Sequence, residues 1–268
     1  MGKVIAVCTS DRKGIQKKDV STAHFSAEWG IDGDAHAGKW HRQISLLSED
    51  KIEAFNKRGA NVIPGAFGEN LVVEGFDFRA LPVGTLLRCN DVLLEMTQIG
   101  KECHSHCEIY KKMGDCIMPR EGVFARVLEP GTISVGDEMT IVPREGHFPW
   151  QAAVITLGES GSGEPIAKRL RDAGYTVVEE PAIPDDARVL KQQLIRLCDQ
   201  RRLDLILVTG GAGSAAQEAM LAVSDKPAPG IASAVIRGKT LIAADPEEHM
   251  DALMDSAPQV MESLRNGR

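Results

Sequence analysis

Hydrophobic and polar positions follow different patterns in the two halves of this 268-residue chain. In the first half, short apolar runs are separated by Gly, Pro and Asp, and only one helical pattern occurs, over residues 49–58. Ser48 stands at the N-cap position of that helix and Gly59 follows its end. The apolar runs predict strands at residues 4–8, 43–47, 70–73, 85–87, 92–97 and 139–142. Many short strands with little helix are typical of a β-barrel-like domain.

The second half alternates between strand and helix patterns. Strands are predicted at residues 152–157, 175–179, 205–209 and 240–243, and helices at 164–172, 188–201, 214–222 and 247–265. Such alternation implies a parallel sheet with helices on its faces. Residues 143–149 between the halves lack any periodic pattern. We therefore predict a mainly β domain at 1–142, a linker at 143–150 and a three-layer α/β parallel-sheet domain at 151–268.

Composition narrows the class of protein. Hydrophobic residues make up 43% of the chain and charged residues 26%, as in globular proteins with a core. The formal net charge of −7 argues against non-specific nucleic-acid binding, although a local basic patch can still hold an anionic small ligand. No apolar stretch is long enough to span a membrane, and the apolar start of the chain is predicted to be a strand and not a signal peptide. We expect a soluble cytoplasmic protein with no nucleic-acid or membrane partner, and a homo-oligomeric state is left open.

The six cysteines fall into two groups of three. The first group lies in apolar patterns and is predicted to be buried: Cys8, Cys89 and Cys198. The second group shares one polar segment with two histidines: Cys103, Cys107, Cys116, His104 and His106. Clustered cysteines in a cytosolic protein indicate catalysis or metal binding.

Three interpretations of this segment stay open. Cys103 follows Lys101, and nearby cations favour the thiolate, so Cys103 is a candidate nucleophile with His104 as its acid–base partner. Cys107 or Cys116 would then be a resolving thiol. In the third interpretation, four side chains bind zinc or an iron–sulfur cluster: Cys103, Cys107, Cys116 and His106.

Further candidate ligand-binding residues lie outside the cysteine segment. His36 and Arg42 share a short polar segment, where His36 would orient or protonate a substrate and Arg42 would hold a phosphate or carboxylate. The alternative is a glycine-turn loop with polar caps, and Asn70 has the same two interpretations. Arg126 lies in an apolar run, so it is either an anion contact or part of an ion pair on a strand face.

Three stretches of the first half resemble a bacterial stand-alone MOSC domain, the sulfur-handling module of molybdenum-cofactor biology. They are GIDGDAHAGKWHRQISLL at 30–47, GAFGENLVVEG at 65–75, and residues 81–142 with LPVGTLLRCNDVLLEMTQIGKEC and EGVFARVLEPGTISVGDEMTIV. The family places a cysteine shortly after a strand that ends in Thr-Gln, and Cys103 follows Thr97-Gln98 in that way. The resemblance implies a β-barrel fold, chemistry of sulfur or the molybdenum cofactor, and a reactive thiol at Cys103.

The second half resembles the molybdopterin-binding fold of the molybdopterin adenylyltransferases. LDLILVTGGAG at 203–213 matches the family's glycine turn through Gly210, Gly211 and Gly213, and Asp185 matches an acidic residue near its nucleotide site. A glycine turn between a strand and a helix lets backbone N–H groups approach an anion, although such a turn can also be purely structural. Ala212 replaces the family's Thr, and residues 214–218 lack its Arg-Asp and Thr-Pro-Glu. These departures imply a domain that has lost catalysis.

The two resemblances together predict a molybdenum-cofactor accessory protein that binds the cofactor or transfers sulfur through a persulfide on Cys103, without pyridoxal phosphate. Its expected partners are molybdopterin or a small-molecule sulfur substrate, and a molybdoenzyme or a cysteine desulfurase. One alternative is a MOSC-type enzyme that cleaves carbon–sulfur bonds or detoxifies a small sulfur or nitrogen compound. Another is a non-enzymatic carrier of the cofactor or of a metal.

Overall fold

The computed structural model describes residues 1–101, 103, 107–143, 149–211, 214–244 and 246–266. The chain divides into two compact units, Met1–Glu145 and Gly146–Arg268. Each unit has its own hydrophobic core. Across the described residues, no helix combines the length and the apolar composition needed to span a membrane.

The first unit is built on a closed β-barrel. Its strands are β1 (Gly2–Thr9), β2 (Lys18–Asp19), β3 (Thr22–Ser26), β4 (Gly30–Ile31), β5 (Ile44–Ser48), β6 (Leu71–Glu74), β7 (Leu86–Cys89), β8 (Val92–Ile99), β9 (Val123–Glu129), β10 (Gly131–Ser134) and β11 (Glu138–Val142). The barrel runs in the order β11, β7, β8, β9, β5, β6, β1 and closes where β1 pairs with β11. Only the β5–β6 pair among these neighbours is parallel. This closure confirms the predicted barrel.

Apolar side chains fill the barrel because the strands place alternate residues inward. Val4, Ile44, Leu71, Leu94 and Val123 come from five strands and belong to one buried cluster. A separate small sheet joins β10, β3 and β4, and β2 pairs with the end of β1.

The first unit contains short helices that its sequence pattern did not reveal. They accompany α1 (Glu49–Lys57) and are α2 (Glu108–Met113), α3 (Met118–Glu121) and a 3₁₀ turn (Phe78–Ala80). Elements of fewer than two turns are too short to show helical periodicity. Ser48 does precede α1, but its side chain makes no capping hydrogen bond and its Oγ accepts from the Phe78 N–H at 3.3 Å. Ser48 is therefore the N-cap residue, as predicted, although its hydroxyl does not cap the helix.

The second unit is a three-layer α/β domain, as predicted. Its strands are β12 (Gln151–Leu157), β13 (Thr176–Glu179), β14 (Ala182–Ile183), β15 (Leu205–Gly210), β16 (Lys226–Pro227), β17 (Ala234–Arg237) and β18 (Thr240–Ala244). Its helices are α4 (Gly163–Asp172), α5 (Ala187–Ile195), α6 (Ala215–Val223) and α7 (Pro246–Asn266). Residues of α4 and α7 pack in a core cluster on one face of the sheet, and residues of α5 and α6 pack in another.

The sheet order is β13, β12, β15, β18, β17, β16, and β14 also pairs with β12. Four neighbouring strands of the sheet are parallel: β13, β12, β15 and β18. The last two, β17 and β16, are added at one edge by antiparallel pairing. The sequence pattern missed β17, which joins β18 through a tight turn at Gly238, where φ is +57°. The predicted helix 188–201 is α-helical only to Ile195 and continues as a π-helical turn, Arg196–Gln200.

Candidate functional site

A buried ion pair lies at the centre of the polar site of the first unit. Lys17 Nζ is 2.8 Å from Asp34 Oδ1 and 2.6 Å from Oδ2, and both side chains are 1% exposed. The Ser10 N–H also donates to Asp34 Oδ2 at 3.1 Å. Burial acts to raise the pKa of Asp34, but hydrogen bonds from His36 and Lys17 hold that pKa well below its usual range. Asp34 is therefore a carboxylate, and Lys17 balances its charge.

His36 forms a hydrogen bond with the same carboxylate. Its backbone N–H donates to Asp34 Oδ1 at 2.9 Å, and its ring Nδ1 lies 3.4 Å from that oxygen. The His36 side chain is 34% exposed although the Nδ1 atom itself is buried. Part of the His36 side chain is therefore accessible to a ligand. This arrangement suits an acid–base or ligand-contacting role.

Asn70 connects Asp34 to the barrel strands. Its Nδ2 donates to the Cys8 carbonyl at 3.0 Å and to Asp34 Oδ2 at 3.3 Å, and its Oδ1 accepts from the Ser45 N–H at 3.1 Å. The residue is 1% exposed. The amide of Asn70 thus contacts protein groups on both sides, and the predicted contact with a cofactor stays a prediction.

The loop before β6 closes over Lys17. The Lys17 N–H donates to the Gly65 carbonyl at 3.0 Å. Gly65 has a φ of +87°, and a Cβ there would lie 2.3 Å from the Lys17 carbonyl oxygen, so only glycine fits. Glu69, fully buried, accepts from the Gly65 and Phe67 N–H groups at 2.7 and 2.9 Å. Burial raises the pKa of Glu69 to about 7.

Arg42 lies against two aromatic rings. Its guanidinium carbon is 4.7 Å from the Trp40 ring centroid and 5.6 Å from that of Phe124. The Trp40 indole N–H donates to the His36 carbonyl at 3.0 Å, and the Thr97 hydroxyl donates to the His41 carbonyl. These contacts orient the segment that carries both His36 and Arg42.

Arg126 has an acidic partner on the neighbouring strand. Arg126 Nε is 2.6 Å from Glu95 Oε2, and the two residues are register partners on β9 and β8. Arg126 therefore forms an ion pair on a strand face. A cofactor contact by Arg126 is not needed to explain its position and remains only a prediction.

The six cysteines differ in exposure. Cys103 and Cys107 are exposed, and the other four are buried. Burial raises the pKa values of three thiols to about 12: Cys8, Cys89 and Cys198. Burial of these three thiols confirms the sequence prediction.

Cys116 is the exception within the polar cysteine segment. It packs in a core cluster, and burial raises its pKa to about 11, with smaller contributions from Cys107 and Cys103. A buried thiol resists ionisation, so Cys116 is less suited than Cys107 to be the resolving thiol, and its role as resolving thiol or metal ligand stays a prediction. His104 and His106 lie outside the described residues. Within the part of the chain that the structure describes, no three His, Cys, Asp or Glu side chains converge as a metal site would need.

The second unit has an open cleft at the ends of its parallel strands. Its volume is about 430 Å³ and it is lined by Asp185, Asp186, Ala187, Arg188, Ser214, Ala215 and Glu218. Gly210 and Gly211 have φ of +76° and +81° at the end of β15, and Gly213 lies outside the described residues. A Cβ on Gly211 would lie 3.0 Å from Asp185 Oδ1, so the glycine admits the carboxylate. The family resemblance assigns Asp185 and the glycine turn to one site, and the structure places Asp185 beside Gly211.

These sites can be tested against an anionic pterin cofactor. In the first unit, the Arg42 guanidinium, the exposed Cys103 thiol and the partly exposed His36 ring are suitable types of donor. In the second unit, the positive-φ glycines permit close approach of a ligand to the backbone. The carboxylates of that cleft outnumber its cations, so an anion there would need a counter-ion. The residues of the first unit fit the cofactor more directly.

Sequence reasoning missed Lys17 and Glu69 as members of the polar site. Lys17 stands in a charged, turn-rich stretch and Glu69 follows two glycine turns, so both have the pattern of exposed loop residues. No local signal marks them, because their burial depends on the loop at 61–69 folding over residue 17.

Comparison with known proteins places a family on each half. Residues 33–140 match the MOSC domain, and residues 131–239 match the family described as a probable molybdopterin binding domain. The two matches overlap at 131–140, which form β10 and the start of β11 and lie in the first unit.

Solved structures similar to each half include three bacterial proteins. The YuaD protein from Bacillus subtilis is 22% identical over 52% of this chain and 94% of its own, with a TM-score of 0.44. YiiM from Geobacillus stearothermophilus is 19% identical over 54% and 76%, with a TM-score of 0.43. The molybdopterin biosynthesis enzyme MoaB from Thermus thermophilus is 21% identical over 44% and 98%, with a TM-score of 0.38. The family matches show that the chain carries a MOSC domain followed by a domain of the probable molybdopterin-binding family.

Proposed function

We propose that this protein is a molybdenum-cofactor accessory protein in which the first unit carries sulfur on Cys103 and the second unit binds molybdopterin. The two families point to the same area of metabolism, which supports the general role. The observation that carries the sulfur-transfer proposal is the exposure of Cys103, four residues after the end of the barrel strand β8.

Exposure distinguishes Cys103 from most other thiols of the chain. Burial raises the pKa values of the four buried cysteines to about 11 or 12, so each of these thiols stays almost entirely protonated near neutral pH. Cys107 is also exposed, and it stands at the N-cap position of α2. Cys103 is preferred over Cys107 because it alone matches the family's cysteine position.

The proposed chemistry is a sulfane transfer that balances without an oxidant. The Cys103 thiolate attacks the outer sulfur of a persulfide donor, the donor's S–S bond breaks, and the donor thiol leaves. A nucleophilic acceptor then takes the outer sulfur from Cys103, and the Cys103 thiolate is the leaving group. A cysteine desulfurase persulfide would be the donor. The molybdenum cofactor, if bound, would be held by the residues described next and would supply the chemistry of its metal centre.

The chain's own residues would hold the cofactor near Cys103. Arg42 supplies a positive charge for an anionic group, and the partly exposed His36 ring donates or accepts a proton there. Lys17, Asp34 and Asn70 act through these residues, because their buried hydrogen bonds hold the loop that carries His36. Asp185, Gly210 and Gly211 would contact the pterin in the second unit.

The first experiment ranks the thiols. The protein is treated near neutral pH with less alkylating reagent than thiol, and labelled peptides are mapped by mass. We expect Cys103 to label first, Cys107 next and the four buried cysteines last. Incubation with a low-molecular-weight persulfide should then add the mass of one sulfur atom to the parent protein.

Two matched variants locate that sulfur. Cys103→Ser should prevent the mass increase, whereas Cys107→Ser should retain it, and neither should disturb the fold because both side chains are exposed. Sulfur loading that persists in Cys103→Ser would contradict the proposal.

The second unit is proposed to bind molybdopterin without adenylylating it. Adenylyl transfer needs a divalent cation held by carboxylates beside the phosphates, and residues 214–218 lack the family's acidic residue at that place. Incubation with molybdopterin, ATP and Mg²⁺ should yield no adenylylated product. Robust product formation would show that the cleft carboxylates suffice.

A further inference from the structure

Two tryptophans of the first unit are unusually exposed. Trp29 and Trp40 are 45% and 40% exposed, whereas the remaining tryptophan, Trp150, is buried in the second unit. Trp29 and Trp40 flank Gly38, whose N–H donates to the Trp29 carbonyl and whose carbonyl accepts from the Trp40 N–H. Large aromatic side chains left in solvent often mark binding surfaces.

Trp40 is held in a fixed orientation by polar contacts. Its indole N–H donates to the His36 carbonyl at 3.0 Å, and the Arg42 guanidinium lies 4.7 Å from its ring centroid. Arg42 in turn lies over Phe124. A ring that is already immobilised loses little conformational entropy when a ligand binds.

The Trp40 ring stays accessible despite these contacts. Arg42 lies over the ring and the His41 ring centroid is 6.4 Å from it, yet the side chain is 40% exposed. The charge observed at the ring is positive, because the Arg42 guanidinium lies over it, while Lys17 neutralises the Asp34 carboxylate that holds His36. A flat ring that carries negative charge is the chemistry that complements this surface.

We propose that the exposed part of the Trp40 ring is a stacking site for a flat, negatively charged nitrogen heterocycle of the pterin class. Aromatic side chains bind planar heterocycles by stacking, and the positive charge of Arg42 strengthens binding of an anionic ring substituent. This inference rests on the proposed function and deepens it, because it states how the first unit recognises the pterin. Purine nucleotides share the ring chemistry and are the competing source that the test must separate.

The test uses the full chain and the intrinsic fluorescence of pterin-6-carboxylate. Its emission is titrated with the parent protein, and stacking should quench it. Trp40→Ala should weaken binding of the probe about tenfold or more. If the second unit also binds the probe, the titration has two phases, and Trp40→Ala should remove the phase that belongs to the first unit. Arg42→Gln should weaken binding of the carboxylated probe more than binding of uncharged pterin.

Trp29→Ala is the matched control. It makes the same side-chain change at a similarly exposed tryptophan of the same segment, but Trp29 has no described contact with Arg42. We expect its affinity to stay close to that of the parent. Equal losses in Trp29→Ala and Trp40→Ala, or no loss in Trp40→Ala, would overturn the assignment. Tighter binding of AMP than of the pterin would also overturn it, in favour of a nucleotide site.

Persulfide loading of the parent protein separates this inference from the proposed function. If Cys103 takes up sulfur but Trp40→Ala binds pterin as the parent does, the stacking site is wrong and sulfur transfer stands. If Trp40 governs pterin binding but Cys103 takes up no sulfur, the stacking site stands and sulfur transfer fails. Far-ultraviolet circular dichroism of each variant confirms that the barrel is folded.

Discussion

The polar residues of the two units are held in different ways. In the first unit, Lys17, Asp34, Asn70 and Glu69 are almost fully buried and joined by hydrogen bonds to the strands and loops around them. In the second unit, the residues that line the cleft are mostly exposed or partly exposed, including Asp185 and Glu218. A buried charge whose partner is removed is costly, whereas an exposed side chain is solvated by water. Substitutions in the first site should therefore lower the stability of its unit. Substitutions in the second site should change the stability of the second unit little.

The largest effect is expected from the buried ion pair. Lys17→Met would leave the Asp34 carboxylate buried without its counter-charge, and we expect unfolding of the first unit to become about 3–5 kcal/mol easier. Urea denaturation is followed by fluorescence in a Trp150→Phe background, so that Trp29 and Trp40 report the first unit alone. Lys18→Met changes an exposed neighbour and should shift the midpoint little. Similar losses in both variants would show that the pair does not couple to stability.

Glu69 should make the first unit less stable as the pH rises. Its pKa rises with burial from 4.5 to about 7, so between these values the folded state keeps a proton that the unfolded chain releases. Each pH unit in that interval then costs up to about 1.4 kcal/mol, or about 3 kcal/mol in all, and the slope ends above pH 7. The low pKa of Asp34 adds no slope there, because that carboxylate is ionised in both states.

The measurement is urea unfolding of the parent and of Glu69→Gln at a series of pH values from 4 to 8. Gln cannot titrate, so the variant should lose the decline between pH 4.5 and 7 even if its overall stability is lower. An equal decline in the parent and in Glu69→Gln would assign the pH dependence to other groups.

A smaller effect is expected from the glycines that let the loop close over Lys17. Gly65 and Gly68 have similar φ values of +87° and +82°, but a Cβ at Gly65 would lie 2.3 Å from the Lys17 carbonyl, and one at Gly68 would meet nothing within 4 Å. Both alanine variants are destabilised because alanine disfavours the left-handed conformation. Gly65→Ala should lower the free energy of unfolding by about 2 kcal/mol more than Gly68→Ala, because the backbone must shift. Equal midpoints in urea for the two variants would indicate that the loop adapts without strain.

The smallest effect is expected in the second unit. Asp186 caps α5 by accepting the Arg188 and Val189 N–H groups at 2.7 and 3.2 Å, so Asp186→Ala should cost about 1 kcal/mol. Ser214→Ala is its control, because Ser214 precedes α6 without a side-chain capping bond. Thermal unfolding by calorimetry should show a lower midpoint only for Asp186→Ala. A loss as large as that of Lys17→Met would contradict the view that this cleft is weakly coupled to stability.

The fold classes followed from local patterns. Short apolar runs bounded by turn residues predicted the barrel, and the alternation of strands and helices predicted the α/β unit, because side-chain periodicity is a property of neighbouring residues. The same local information predicted that Cys8, Cys89 and Cys198 are buried. It missed α2 and α3, which have fewer than two turns each and so show no helical period, and β17, whose partner is an antiparallel neighbour in a sheet expected to be parallel.

The candidate site depended on contacts between distant residues. The chain pattern alone marked His36, Arg42, Asn70 and Cys103 as polar or reactive, since their residue types carry that chemistry wherever they stand. Only the tertiary structure joined Asn70 to Asp34 across 36 residues, paired Arg126 with Glu95 across 31, and buried Cys116. Burial and pairing at such separations are decided when the barrel closes and the loops pack over it, because desolvation and hydrogen bonding act on neighbours in space and not in sequence.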